Sequence, residues 1–424
     1  MPSQTCLHDF DLSTFRGVYS ALFASWAEGE DVRVHFTREG VHTTDRRDRL
    51  REVAADFINL RHWPPMMAPD IGPRFLWDMF SFFVGISADC QLPRCSASDS
   101  FSGDEGNDEG ATPDWLQEVP YWNSNEDLRL DLFLSKPETA IKIFLSSFGR
   151  RSGFVWSDVN MDCVAPVLEF FIKYVLRTDD GLANDPAFCA CPALIESAKK
   201  ELPDIAAVSK AIPDDFSSAC YLFFGWGTPE HPGLCLPIAC QDLPTVAEMP
   251  GQPAWEITRR KLLSRQDNIT LKETHMPGVV EHSMRRVKSI SLPTPEGLTP
   301  SAQSNDCSDA DNTSIDPLLG MYARLILEPM PPSWDNNELP VYSTPEVLQQ
   351  PNALVTEIGC HNATEDEITV IIDPQSVASH LLTAGMGLGG TWVQLISKKR
   401  PKSKPIWFID HLSAIIPSFW TSTF

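Results

Sequence analysis

Hydrophobic residues recur first at helical and then at strand spacing, and the change of period divides the chain. In "STFRGVYSALFASWAEG", Phe15, Val18, Tyr19, Leu22, Phe23 and Trp26 share one face, with Ser13 as N-cap and Gly29 as stop. "TTDRRDRLREVAADFINL" repeats the pattern through Leu50, Val53, Ala54, Phe57 and Ile58, up to Pro64 and Pro65. "PRFLWDMFSFFVGI" does so through Phe75, Leu76, Met79, Phe80 and Phe83. Between the first two, "DVRVHF" alternates Val32, Val34 and Phe36 as a short extended piece. Helix resumes near Asn125. In "VLEFFIKYVLR" the only charges, Glu169, Lys173 and Arg177, fall four apart. They form one thin wet stripe on an otherwise buried helix, and Glu169 is placed to pair with Lys173. "ALIESAKKEL" ends before Pro203, and "DIAAVSKAI" and "PDDFSSACYLFFG" follow as separate helices, the last stopped by Gly225. Together these segments predict an α-helical domain over residues 10–86 and 125–226.

Period two takes over near the end. "MYARLILEP" alternates Ala323, Leu325 and Leu327 against Arg324 and Glu328, and "EITVIID", "TWVQLIS" and "PIWFID" share the pattern. With "HLSAIIPSFW" as a closing short helix or turn, residues 317–424 predict a small, mainly antiparallel β-sheet domain. The expected fold class is therefore α+β.

Two stretches follow neither period. Residues 87–124, with "SASDSFSGDEGNDEGATPD", are Ser, Gly and acid, and read as a disordered acidic insertion. Residues 227–316 read as a low-order, Pro-rich linker holding one basic island, "VVEHSMRRVKSI" (279–290). That island is expected to be a solvated helix or a strand docking on the body, or else a partner-binding motif.

Composition narrows the function classes. With 424 residues, 42% hydrophobic content and twelve tryptophans, the chain has room for two packed domains. Its formal charge of −23 disfavours a general nucleic-acid binder, which needs Lys and Arg to displace counterions, and suits a partner with a basic surface. "MPSQTCLHDF" has neither a basic start nor an apolar run, and "VLEFFIKYVL" (167–176) is too short to cross a bilayer and carries two charges. Eleven scattered cysteines fit reduced thiols, so the expected compartment is nucleus or cytoplasm, without secretion or membrane insertion.

Reactive constellations are few. Gly385, Gly387 and Gly390 in "GMGLGG" have dinucleotide-fingerprint spacing. That fingerprint follows a strand and opens a helix, whereas here a strand comes after, so the run is expected to serve a turn. A nucleotide-cofactor-binding enzyme using Gly385–Gly390 is the alternative. Cys189 and Cys191, Cys90 and Cys95, and Cys235 and Cys240 are close pairs without zinc-site spacing. Asp410 and His411 are neighbours on a strand and are expected on opposite faces. Asp214 and Asp215 in "PDDF" read as helix capping. No catalytic, cofactor-binding or metal residue is assigned. "KKRPKSK" (398–404) reads both as a solvated hairpin tip and as a basic cluster of nuclear-import type.

One resemblance gives these negatives a direction. "IFLSSFGRRSGFVWSDVNMDCVAPVLEFFIKYVLRTDD", then "AKKELPDIAAVSKAIPDDFSSAC" and a closing "LFFG", resemble the Argonaute-binding subunit of the fungal Argonaute siRNA chaperone complex. The likeness covers residues 139–225 and rests on packing residues and caps, so it transfers no functional residue. It implies a non-enzymatic protein that binds Argonaute with duplex siRNA, restrains passenger-strand release and supports RNA-directed heterochromatin. An acidic body would complement Argonaute's basic RNA channel. An orphan scaffold recruiting another partner through its acidic linkers is the alternative in the same class.

Overall fold

The computed structural model describes residues 12–33, 45–64, 70–87, 125–224, 271–293, 321–331, 345–349, 361–401 and 403–421. Most of the acidic insertion and of the 227–316 linker lie outside these residues, as do Val34 to Phe36. The fold is α+β, with helices in the first half and a mixed sheet in the second. The chain forms two compact units.

The first unit runs to Pro203 and takes in Trp420 and Thr421. Its helices are α1 (Leu12–Arg33), α2 (Arg46–Asn59), α3 (Pro73–Phe83), α4 (Glu126–Ser135), α5 (Pro137–Ile143), α6 (Asp158–Thr178) and α7 (Asp180–Ala183), followed by α8 (Pro186–Ala211). Ser13, expected as the N-cap of α1, falls inside that helix; other side-chain oxygens cap helices where they meet orphan amides. Asp45 accepts from the Arg47 amide at 2.8 Å, Asn125 from Asp127 at 3.0 Å, and Ser157 from Asn160 at 3.4 Å. Helices α1, α2 and α3 all pack on α6, whose Val164, Leu168, Phe171, Ile172 and Val175 are buried. Leu50, Ala54 and Phe57 of α2 and Phe80 and Phe83 of α3 are fully buried, as their spacing predicts. Val18 departs from its predicted face, at 45% exposure.

Helix α1 also continues past Gly29 to Arg33, so the start of the expected extended piece is helical. The Glu30 carboxylate, which accepts from Arg61 and Arg177, anchors this last turn. A π-helical turn over Phe144–Phe148 follows α5. Its widened spacing lets two consecutive hydroxyls reach one acceptor: Ser146 and Ser147 donate to the Thr421 carbonyl at 3.0 and 2.9 Å.

The second unit spans Asp204–Phe419, so the division falls inside α8 rather than near residue 226. Two separate helices are predicted around Pro203, but α8 runs unbroken through Pro192 and Pro203. Its apolar face explains this: Ala198, Leu202, Ile205, Val208 and, just past its end, Ile212 are all buried at helical intervals. Helix α9 (Asp215–Phe224), also predicted to belong with the helices, packs instead on the sheet. Its Phe216 and Cys220 share a core with Val280, Tyr322, Ile371, Val393, Leu395 and Phe408.

After the short α10 (Leu271–Thr274) come β1 (His275–Ser291), β2 (Ala323–Pro329), β3 (Glu346–Gln349), β4 (Ile368–Ile372), β5 (Gly387–Ser397) and β6 (Ile406–Ile416), with α11 (Ala378–Leu381) between β4 and β5. The "island" 279–290, for which a strand docking on the body is one expectation, is the heart of a 17-residue strand inside a stretch otherwise predicted to be linker. It pairs with β5, β2 and β3. Around the sheet the order is β1, β2, β4, β6, β5 and back to β1, so five strands close into a barrel and β3 flanks β1. Closure pairs backbone groups that an open edge would leave free. All pairings are antiparallel except β4 with β6, where Val370 stands opposite Trp407. "HLSAII" continues β6 instead of forming a closing helix or turn. The segment is apolar at both pattern phases, and pairing with β5 as far as Gly387 decides its conformation.

Candidate functional site

The glycine run is decided by backbone geometry. Gly385 has φ of 97°, a left-handed conformation that side chains disfavour, and its amide donates to the Val287 carbonyl at 2.8 Å. The strand then starts within the run, at Gly387, rather than after it. Gly390 lies between β1 and β6, opposite Ser283 and Leu412. A Cβ there would sit 2.3 Å from the His411 carbonyl oxygen, a backbone atom that cannot step aside. At Gly389 the nearest atom is the flexible Met284 Cε, at 2.9 Å. Gly390→Ala is therefore expected to destabilise by about 1–3 kcal/mol and Gly389→Ala by clearly less, on the usual cost of overpacking. Thermal melts of the two variants compare them directly.

The barrel holds a network that the strand pattern disguises. Glu281, Ser283 and Arg285 occupy alternate positions of β1, a spacing normally read as a solvent face, yet all three are completely buried. Arg285 grips Glu281 through two bonds of 2.6 and 2.7 Å, and Ser283 Oγ donates to the same carboxylate. His361 Nε2 lies 2.6 Å from Glu281 Oε2, and its ring packs 4.9 Å from that of Trp407. Arg285 also donates to the Asp366 carbonyl at 2.9 Å. Burial pushes the Glu281 carboxyl up, but the bonds from His361, Arg285 and Ser283 outweigh it and hold the group below its ordinary range. Beside the network opens a concavity of about 360 Å³, lined by His361, Asp366, Glu367, Gln394, Lys404 and Trp407.

A second concavity, of about 550 Å³, lies in the helical unit between α1, α6 and α8. Phe23 and Phe170 stack in it at 6.0 Å and 12°. The predicted Glu169–Lys173 pair is present, and Lys199 joins it, 2.7 Å from Glu169. Burial works against the Glu169 charge, but the two lysines overcome it and hold the carboxyl below its ordinary range. Arg177, the third member of the predicted stripe, pairs with Glu30. The participation of Lys199 has no signature in sequence, because it comes from another helix.

The remaining candidates stay apart from both places in chemistry. Asp214 accepts from the Ser217 amide at 2.8 Å, as a cap should, and from the Asp373 amide at 2.5 Å. Its deep burial still raises its pKa. Asp410 sits at a β-bulge, opposite the shift between Thr391 and Trp392, so strict alternation does not govern the Asp410–His411 pair. Burial raises Asp410 to about 6 and lowers His411. His282 is lowered to about 4 by burial and by His411, and its Nδ1 lies 2.9 Å from Thr391 Oγ1. Cys191 is buried and pushed up to about 12, while Cys189 is exposed. The pairs Cys90 and Cys95 and Cys235 and Cys240 lie outside the described residues. Among the described residues no group of three or more His, Cys, Asp or Glu is arranged to hold a metal ion, and no helix is long and apolar enough to cross a membrane. The basic cluster 398–404 joins β5 to β6, with Lys398, Lys399, Arg400 and Lys404 exposed and Lys402 outside the described residues. No family model, curated protein or solved structure matches the chain.

Proposed function

We propose that the chain is a non-enzymatic binding protein of RNA silencing. It holds an Argonaute-type protein with duplex siRNA and supports RNA-directed heterochromatin formation, in nucleus or cytoplasm. One observation carries the reading beyond the resemblance itself. The concavity of the helical unit draws Pro166, Glu169, Phe170, Lys173, Arg177 and Lys199 from the segment 139–225 that bears the resemblance. Two half-exposed, stacked aromatics ringed by charges suit a protein–protein contact, where aromatic anchors supply most of the binding energy. The net charge of −23 favours docking on a basic partner. The buried titratable groups Glu281, Arg285 and His361 are engaged with one another inside the barrel, which fits a structural role.

The test is recovery of partners on the tagged full chain from native fungal extract, read by mass spectrometry. An Argonaute is expected among them, and Phe170→Ala combined with Lys173→Glu is expected to cut its yield about tenfold, as loss of a contact anchor should. An unchanged melting point separates that loss from misfolding. Reproducible absence of any Argonaute refutes the proposal.

A further inference from the structure

Positive charge in the last hundred residues is confined to one place. Every lysine and arginine of residues 325–424 lies in the seven-residue stretch "KKRPKSK", which carries five of them and no acid. The structure sets this stretch at the turn between β5 and β6, the strands that pair Leu395 with Ile406. Lys398, Lys399, Arg400 and Lys404 are exposed there. The overall charge of −23 argues against a general nucleic-acid binder, but exposed charges are screened within about 8–10 Å, so a local cluster acts on its own account.

The tip adjoins a built cavity. Lys404 belongs both to the turn and to the lining of the concavity of about 360 Å³. In the same lining stands Gln394, only 4% exposed. Its Oε1 accepts from the Val279 amide at 3.1 Å, which fixes the side chain and leaves the amide nitrogen without a hydrogen-bond partner among the described residues. That nitrogen keeps contact with solvent, so a ligand entering the concavity can meet it. Acceptors face the same space. Asp366 takes the Asn362 amide at 2.7 Å, and Glu367 pairs with Lys288.

These features discriminate between polyanions. A cationic rim attracts phosphodiesters and acidic peptides alike. A cavity lined by both an amide donor and two carboxylates repels a glutamate or aspartate side chain. It suits a nucleobase edge, which presents donors and acceptors together. Its volume is also close to that of a single nucleotide, roughly 300 Å³, within the ordinary range for ligand sites. A base can enter only when it is free of a duplex. We propose that the β5–β6 turn and this concavity bind single-stranded nucleic acid, the turn's cations lying along the phosphates and one base entering beside Gln394 and Lys404.

The experiment is fluorescence anisotropy of the full chain with labelled twelve-nucleotide RNA and DNA, single-stranded and duplex. Single strands are expected to bind at about 50 mM salt and to weaken by about 50-fold at about 200 mM, the response of roughly four neutralised phosphates. Lys399→Glu with Lys404→Glu is expected to weaken binding at least about tenfold, through reversal of two phosphate-facing charges. Gln394→Glu keeps the acceptor for Val279 but replaces the free amide with an anionic oxygen, and is expected to weaken binding several-fold. Melting points show whether each variant is folded. Four results overturn the proposal: no single-strand binding at low salt, affinity indifferent to either variant, equal affinity for duplex, or equal competition by an oligoglutamate, which would mark the turn as a site for acidic proteins.

Discussion

Arg285→Met is expected to destabilise the protein by about 3–5 kcal/mol, the cost of leaving a buried charge without its partner. Arg285 is completely buried and makes two bonds to Glu281, which is also completely buried. Methionine fills much of the same space, so the loss would come from charge rather than from a cavity. It would also strand the Asp366 and Ala363 carbonyls that the guanidinium now meets. Replacing both members, Glu281→Leu with Arg285→Met, is expected to recover at least half of the loss, because apolar pairs of similar volume often match buried ion pairs. Urea unfolding of the full chain, followed by circular dichroism, measures both variants. Equal stability of the single variant and the wild type would show that the network contributes nothing. The same network sets a pH response. Because the Glu281 carboxyl is held below its ordinary range, its contribution is complete above the unfolded value of about 4.3 and is lost as pH falls through the lower folded value.

Phe57→Ala is expected to cost a comparable amount, about 3–5 kcal/mol, as deletion of a fully buried phenyl ring from a tight core. Phe57 is completely buried, with Trp77 at 4.8 Å, Phe171 at 5.3 Å, Trp63 at 5.9 Å, Tyr174 at 6.0 Å and Trp26 at 6.1 Å between ring centroids. Rings from α1, α2, α3 and α6 therefore meet on one side chain, and neighbours this large and rigid cannot collapse into the space it leaves. The Arg61 guanidinium lies 4.0 Å over the same ring, with its side chain wholly buried, so the substitution also removes a desolvated cation–π contact. Phe57→Leu retains most of the volume and is expected to lose less than half as much. Tryptophan fluorescence suits this measurement, since Trp26, Trp63 and Trp77 line the site.

The two variants also separate what each kind of pattern reveals. Phe57 stands on a helical repeat, and its burial could be read from Leu50, Ala54 and the residues around it. Arg285 stands on a strand repeat in which Glu281, Ser283 and Arg285 alternate with Val280, His282 and Met284. Period two fixes which residues share a side and says nothing about which side is inside. A polar side facing inward is tolerable here only because His361 and the backbone of 363–366 come back across the barrel to satisfy it, and a local window cannot contain those partners. The same limit applies to Lys199, which reaches Glu169 from a different helix, and to Gln394, whose exact function as a fixed donor depends on the Val279 amide of a neighbouring strand.

The division into helical and strand-forming halves, the Asp214 cap, the helical core face through Leu50, Phe57, Phe80 and Phe171, and the turn at 398–404 were determined by the sequence alone. Each depends on spacing between residues close in the chain, and short-range sterics and amphipathicity act at that range. Tertiary structure alone decided that α8 continues through Pro203, that α9 joins the sheet, and that residues 275–291 form the barrel's longest strand. It also decided that Gly390 is needed for the approach of β6. These outcomes depend on partners up to a hundred and more residues away, where burial and strand pairing override local preference, as they do for Glu281 and His361, eighty residues apart.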